Sequence, residues 1–277
     1  MTAPATRRAA FRKLHEAGCF VIPNPWDRGS AVYLAQLGFP ALATSSAGFA
    51  FSRGLPDAPW ALEREAVLAH VADIVAATPL PVNADFQSGY APDPDGMAES
   101  VRLCVEIGVA GLSIEDATGE PARPLYELRQ AVERIQAARA AIDASGTGVL
   151  LTARAECFLT GHASPLEEAV RRLRAYADAG ADVLYAPGVR APDAIRAVVE
   201  AVAPKPVNVL VGAPGLRVAE LAALGVRRVS VGSALARVAW TAFMAAARAL
   251  AEAGTFEQFD GLVTTGALSK LFGDVAR

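Results

Sequence analysis

Eight times along this chain a short β-prone run gives way to a longer, alanine-rich stretch of helical period, with turn residues between them. The strand candidates are Phe20–Asn24, Ala41–Ser46, Pro81–Phe86, Gly111–Asp116, Val149–Glu156, Asp182–Gly188, Pro206–Val211 and Arg227–Ser233. The helical stretches are Asp27–Gly38, Ala61–Thr78, Asp93–Gly108, Leu125–Ala144, Pro165–Gly180, Ala191–Ala203, Gly215–Gly225 and Ala234–Gly254. Asp27 reads as an N-cap, Ser164-Pro165 with Glu167 and Glu168 reads as a helix start, and several helices stop at glycine. Strict alternation implies parallel strands joined by right-handed crossovers. Eight such units within 277 residues are expected to close into a (β/α)8 barrel of the TIM type. An open doubly wound sheet would usually carry a glycine fingerprint after its first strand, and neither GxGxxG nor GxxxxGK[ST] occurs. Residues 1–254 are therefore assigned to the barrel with a helical lead-in, and 255–277 to a C-terminal extension packing on the barrel or on a neighbouring subunit.

Composition narrows the function. With 53% hydrophobic and 20% charged residues the chain is globular rather than disordered. A net charge of -3 spread along the chain argues against nucleic-acid or membrane-surface partners, which require a basic face. Cys19, Cys104 and Cys157 form neither a disulfide framework nor a zinc spacing, and free thiols fit a reducing, cytoplasmic setting. Met1 to Arg12 lacks the apolar segment of a secretory signal, and no apolar run is expected to reach the ~18 residues of a spanning helix.

In such barrels the active site lies at the C-terminal ends of the strands. Those ends carry Asn24, Ser45-Ser46, Asp85, Glu115, Arg154 with Glu156, Asn208, and Ser230 with Ser233. Asp85 and Glu115 end consecutive strands, whose backbones would lie ~4.8 Å apart. Two carboxylates that close require either a retained proton or a cation between them. Oxygen-only ligands favour Mg2+, with Mn2+ possible; a carboxylate network around Arg154 is the alternative. Arg154 and Glu156 are two apart and face the same way, which suits either a bidentate grip on a substrate carboxylate or a mutual ion pair.

Ser45-Ser46-Ala47-Gly48 reads as an anion cradle, and Phe49–Pro59 and Ala117–Pro124 as mobile lid loops. No lysine stands at a catalytic strand end, which disfavours Schiff-base chemistry, and neither HExxH nor GxSxG is present. His162 reads as a solvated loop residue and Cys157 as packing.

The segments FVIPNPWDRGSA, ATSSAGFAFSRGLPD, PVNADFQSGY, GLSIEDATG, LTARAECF, LYAPGV and KPVNVL add up, in order and spacing, to a chain that resembles the isocitrate lyase / phosphoenolpyruvate mutase superfamily. The resemblance implies a Mg2+-dependent barrel, acting on small 2-oxo acids through an enolate and assembling as a homo-oligomer, a dimer or a tetramer. It implies Asp85 and Glu115 as metal residues and Asp57 as a further acidic catalytic position. It also implies Ser45, Ser46 and Ala47 as the carboxylate cradle, Arg154 as the substrate arginine and Asn208 as a binding residue. Two departures stand out. Gln87 replaces the second aspartate of the usual DxDxGY, and DATGEPARPLY replaces the usual KKCGH-type loop, so no Cys, Lys or His is available there. The proton carrier is then water on the metal, Tyr90, or a residue of Ala117–Pro124. The expected activity is C–C cleavage of a 2-oxo acid or 2-hydroxy di- or tricarboxylate. C–P chemistry on phosphonopyruvate-like compounds and a non-catalytic oxo-acid-binding barrel remain as alternatives.

Overall fold

The computed structural model describes residues 3–273. Eight parallel strands form one sheet: β1 (Phe20–Ile22), β2 (Leu42–Ala43), β3 (Val82–Asp85), β4 (Gly111–Glu115), β5 (Leu150–Arg154), β6 (Val183–Tyr185), β7 (Val207–Leu210) and β8 (Arg228–Ser230). The order β1-β8-β7-β6-β5-β4-β3-β2 curls the sheet into a nearly closed TIM-type barrel. At the seam, Ala43 N donates to Pro23 O at 3.0 Å. Asn24 ties this seam to the neighbouring end of β8, donating Nδ2 to Thr44 O and accepting from Val231 N and Gly232 N, all at 2.9 Å.

Among the described residues, eleven α-helices surround or extend the barrel: α1 (Pro4–Leu14), α2 (Arg28–Gln36), α3 (Ser46–Ser52), α4 (Arg64–Ala77), α5 (Pro94–Glu106), α6 (Leu128–Ala144), α7 (Pro165–Asp178), α8 (Pro192–Val202), α9 (Val218–Ala223), α10 (Ala234–Ala253) and α11 (Thr265–Gly273). Asp27 caps α2 by accepting from Ser30 N at 2.7 Å, whereas the Ser164 side chain makes no cap bond to α7. The expected second strand, Ala41–Ser46, is cut short because Ser45 caps α3 and Ser46 already lies in it. The same helix absorbs Phe49–Ser52, so only the rest of Phe49–Pro59 is a loop.

Period-two alternation sorts the strands. Leu112, Ile114, Leu151 and Ala153 point outward into the main core beneath the helices. Ser113, Glu115 and Arg154 line the cavity inside, and Thr152 shares the Arg154 face. The bottom of the barrel is apolar: Phe11 from α1 packs there with Phe20, Ala41, Ala110 and Leu150. Arg7 and Arg8 fix α1 in place by donating to Val75 O and Val109 O at 3.1 and 3.0 Å. Glycine is required at position 180, where φ is +102° and a Cβ would lie 2.7 Å from Arg139 Cγ.

One sequence expectation is corrected. α10 is, by length and composition alone, apolar enough to cross a membrane, with mean hydropathy 1.2 over 18 residues. Alanines carry that hydropathy, and Arg237 and Arg248 interrupt the run. The tail beyond α10 returns to the barrel, where Gln36 Nε2 donates to Leu271 O at 3.0 Å. Residues 1–2 of the lead-in and 274–277 of the extension lie outside the described residues.

His15 follows α1, edge-on to Phe11 and Phe20 at 4.8 and 5.1 Å. Burial, aided by Arg228, pulls its pKa down to about 3, and burial pulls His70 down to about 4. On acidification the unfolded chain takes up these protons first, so their stabilising contribution is complete above the ordinary histidine value and is lost as pH falls from about 6.5 toward 3. In urea titrations at pH 6.5 and 4.5, His15→Gln is expected to lose less stability than the parent chain over that interval. Parallel losses would show that His15 does not contribute.

Candidate active site

A cavity of about 570 Å³ opens at the C-terminal ends of the strands and reaches down into the barrel. The cavity wall carries Asp57, Asp85, Glu115, Glu120 and Glu156 against two guanidinium groups, Arg154 and Arg228.

Arg154 is the hub. Its Nη1 lies 2.8 Å from Asp85 Oδ1 and 3.1 Å from Glu115 Oε2, and its Nε donates to Glu156 Oε1 at 2.9 Å. The guanidinium also sits over the Tyr185 ring, 5.2 Å from its centroid. The cation between Asp85 and Glu115 in this structure is therefore Arg154. Register explains how one nitrogen reaches both: Glu115 pairs directly with Arg154, while Asp85 pairs with Ser113, two residues lower on β4. Glu156 stands not on β5 but in a 3-10 turn, Glu156–Phe158, where its backbone N donates to Asp116 Oδ1 at 2.8 Å.

Asp85 is fixed from its other side. Its Oδ2 accepts from Ser46 N and Ser46 Oγ at 2.9 and 2.8 Å, and its own N donates to Thr44 Oγ1 at 2.8 Å. Ser46 thus serves the aspartate, and the Ser45 hydroxyl accepts from Gly48 N at 3.1 Å. Ala47 also lines the cavity. Gln87 lines it too, from the left-handed region at φ 42° that marks the tight turn after β3.

The carboxylates are crowded. Burial raises the pKa of Glu115 and Glu156; Arg154 opposes the rise, and the neighbouring acids reinforce it. Asp57 is raised by burial and by Asp85. Tyr90 is not in the cavity wall: its phenol oxygen is buried with no partner among the described residues, and burial with Asp85 and Glu115 pushes its pKa upward. His162 and Cys157 are likewise absent from the wall.

Strand-end reading missed three groups. Asp116 accepts from Tyr176 Oη at 2.6 Å and from Arg172 Nη1 at 3.0 Å, a buried network that anchors Glu156 and ties α7 to β4. Tyr185 ends β6 and supports Arg154. Arg228 opens β8 and projects inward one strand period below Ser230, at a position a survey of strand ends does not sample. Its Nε donates to Asn208 Oδ1 at 2.9 Å, and Asn208 Nδ2 donates to Ser230 Oγ at 2.9 Å. Burial pulls the Arg228 pKa down to about 10, so it stays charged at neutral pH.

The Ala117–Pro124 segment meets the chain at Pro59 and Trp60, at the edge of the other segment read as a lid. Trp60 Nε1 donates to Thr118 O at 3.1 Å. Gly119 (φ +83°) meets Pro59 so closely that a Cβ would lie 2.6 Å from Pro59 Cβ.

The phosphoenolpyruvate phosphomutase family model matches residues 11–251. The chain belongs to that family, within the isocitrate lyase / phosphoenolpyruvate mutase superfamily. A solved structure of a candidate lyase/mutase from Burkholderia cenocepacia J2315 superposes with TM-score 0.93 at 50% identity, covering 98% of this chain and 97% of that one. The structure of 2,3-dimethylmalate lyase, a member of the same superfamily, matches with TM-score 0.85 at 28% identity, covering 99% and 95%. Oxaloacetate decarboxylase of Rhodopseudomonas palustris (strain HaA2) is 30% identical over 273 residues, 93% of this chain and 89% of that protein.

Removing the Asp116 carboxylate would leave Arg172 and Tyr176 short of a buried partner. Asp116→Ala is expected to lower unfolding stability by about 3 kcal/mol, read from urea denaturation. A loss well under 1 kcal/mol would remove this network from the supports of the site.

Proposed function

We propose that the chain is a cytoplasmic, divalent-metal-dependent lyase that breaks a C–C bond next to a carboxylate, in a small 2-oxo acid or 2-hydroxy di- or tricarboxylate. The observation that carries this reading is the excess of acid at the mouth: five carboxylates and two guanidinium groups share one roomy cavity. Such a surplus of hard oxygen donors fits Mg2+, or Mn2+, held by one or two carboxylates with water completing the shell. Among the described residues no three acidic, histidine or cysteine side chains already converge as a metal cluster. Asp85 and Glu115 would hold the ion, and Arg154 would keep both carboxylates positioned at the ends of β3 and β4.

When bound, the metal supplies a Lewis acid for the oxygen that gains charge as the bond breaks. The remaining work belongs to the chain. Ser46 orients Asp85 through its N–H and hydroxyl, while Ser45 and Ala47 wall the side of the cavity where a substrate carboxylate would lie. Asn208, fixed by Arg228, presents its amide from β7. Asp57, whose carboxyl is raised above its ordinary range by burial and by Asp85, is the cavity acid we assign to proton transfer. Glu120 comes from the segment where the superfamily resemblance leads one to expect a Cys-bearing loop, and it offers the second carboxyl within reach of the lids. The likeness to 2,3-dimethylmalate lyase and to oxaloacetate decarboxylase, both named for C–C cleavage, supports the same class.

We further infer a homo-oligomer, dimer or tetramer. Val238, Phe243, Met244, Leu262 and Val263 are each more than half exposed along α10 and the tail, an apolar surface that a second copy would cover. Light scattering is expected to give a multiple of the 28.8 kDa chain mass, and Phe243→Asp to lower it. A parent chain that runs as a monomer at micromolar concentration would refute the assembly.

The activity is tested by incubating the protein with oxaloacetate, 2-methylisocitrate, isocitrate, dimethylmalate and phosphonopyruvate, and measuring pyruvate, glyoxylate and phosphate. Pyruvate from oxaloacetate, 2-methylisocitrate or dimethylmalate, or glyoxylate from isocitrate, is expected, abolished by EDTA and restored by Mg2+ or Mn2+. Asp85→Ala should reduce that turnover by at least about 100-fold, in line with loss of a metal ligand. Turnover retained with unchanged metal dependence would sink the metal role. Phosphate release from phosphonopyruvate, with no product from the other four, would assign C–P chemistry, and binding without any product would assign a non-catalytic barrel.

A further inference from the structure

Arg228 differs from the other buried arginine of the cavity in having no acid beside it. Arg154 is shared among three carboxylates, whereas Arg228, only 3% exposed, contacts neutral groups alone. Its Nε donates to Asn208 Oδ1 at 2.9 Å and its Nη2 to Thr152 Oγ1 at 3.0 Å. Nη1 faces His15 Nε2 at 3.5 Å, with His15 Nδ1 placed 2.8 Å from Phe11 O. A guanidinium carries five N–H donors, and these contacts use three, so two are left without an acceptor among the described residues.

A buried cation with spare donors and no counter-charge is costly unless something anionic completes it. The cavity reaches this group: Arg228, Asn83 and Ser113 all line it, and buried Asn83 Oδ1 also lacks a partner. Along β4 and β5 the acidic layer stands two residues above this floor, Glu115 over Ser113 and Arg154 over Thr152, about 7 Å of strand. The cavity is therefore acidic at its mouth and cationic at its floor. A compound with a single carboxylate satisfies one end of that gradient. A four-carbon diacid can satisfy both.

We propose that Arg228 anchors the remote carboxylate of a four-carbon 2-oxo or 2-hydroxy diacid, and so makes the cavity select diacids over monoacids. This rests on the mouth being an oxo-acid site, as argued above. Arg228 then acts by direct contact with the substrate, while Thr152, Asn208 and His15 hold its guanidinium without neutralising it.

The test compares L-malate with L-lactate, which differ by that one carboxylate, in calorimetric titrations of the full-length protein with Mg2+. The parent chain is expected to bind malate at least 30-fold more tightly, about the worth of a charge-assisted hydrogen-bond pair. In Arg228→Gln that preference should fall to within about 3-fold, through weaker malate binding with lactate unchanged. Arg228→Lys, which keeps the charge but not the fork, should retain part of it. Should the glutamine variant fail to fold, the lysine variant and the parent preference still decide. Equal affinities in the parent chain, or a malate preference untouched by either variant, would overturn the anchor. In the second case the oxo-acid reading of the mouth would survive. Failure of both acids to bind would overturn the two together.

Discussion

One guanidinium holds the mouth of this barrel together. Arg154 binds carboxylates from the end of β3, from the end of β4 and from the turn after β5, so three consecutive βα junctions converge on a single side chain. Burying it would be prohibitive without those partners, and burying the three acids would be equally costly without it. The arrangement still leaves the acids in excess, and Glu115 and Glu156 are pushed above their ordinary range in spite of the arginine. A site built this way is short of positive charge before any substrate arrives. The reach of Ser46 from the first turn of α3 to Asp85 adds a fixed direction to that charge.

Seen along its axis, the barrel interior changes character layer by layer. Phe11, Phe20 and Leu150 close the bottom as an ordinary apolar plug. Above them come Thr152, Asn208 and Arg228, where most barrels of this type carry branched aliphatic residues. The acids and Arg154 form the top. The polar middle layer links the plug to the acidic rim, since His15 touches Phe11 below and Arg228 above.

Much of this was legible from residue order alone, because alternation of strand and helix and period-two facing are local properties. Asp85, Glu115, Arg154 and Asn208 lie inside at or near the strand ends, where the sequence pattern put them. What escaped was decided by competition or by distance. Ser45 reads as the end of a strand, but its hydroxyl does better as a helix cap, so Ser46 leaves the sheet. Glu156 reads as sharing a strand face with Arg154, yet the chain has already turned there, held by Asp116. Arg228 follows another arginine, and only the closed barrel separates the two: Arg227 reaches Gly18 O on the outside, while Arg228 enters the interior. Tyr176 and Arg172 meet Asp116 across 60 and 56 residues of chain, a separation no local pattern encodes.

The contact of Pro59 and Trp60 with Thr118 and Gly119 has a practical side. Trp60 is 46% exposed, and its indole nitrogen is bound to the backbone of the opposite segment at Thr118. Parting the segments would release that bond and move the ring into bulk solvent. Trp60 is therefore an intrinsic fluorophore at the contact between two chain segments, and with Trp26 and Trp240 replaced its emission would report on that contact without a chemical label.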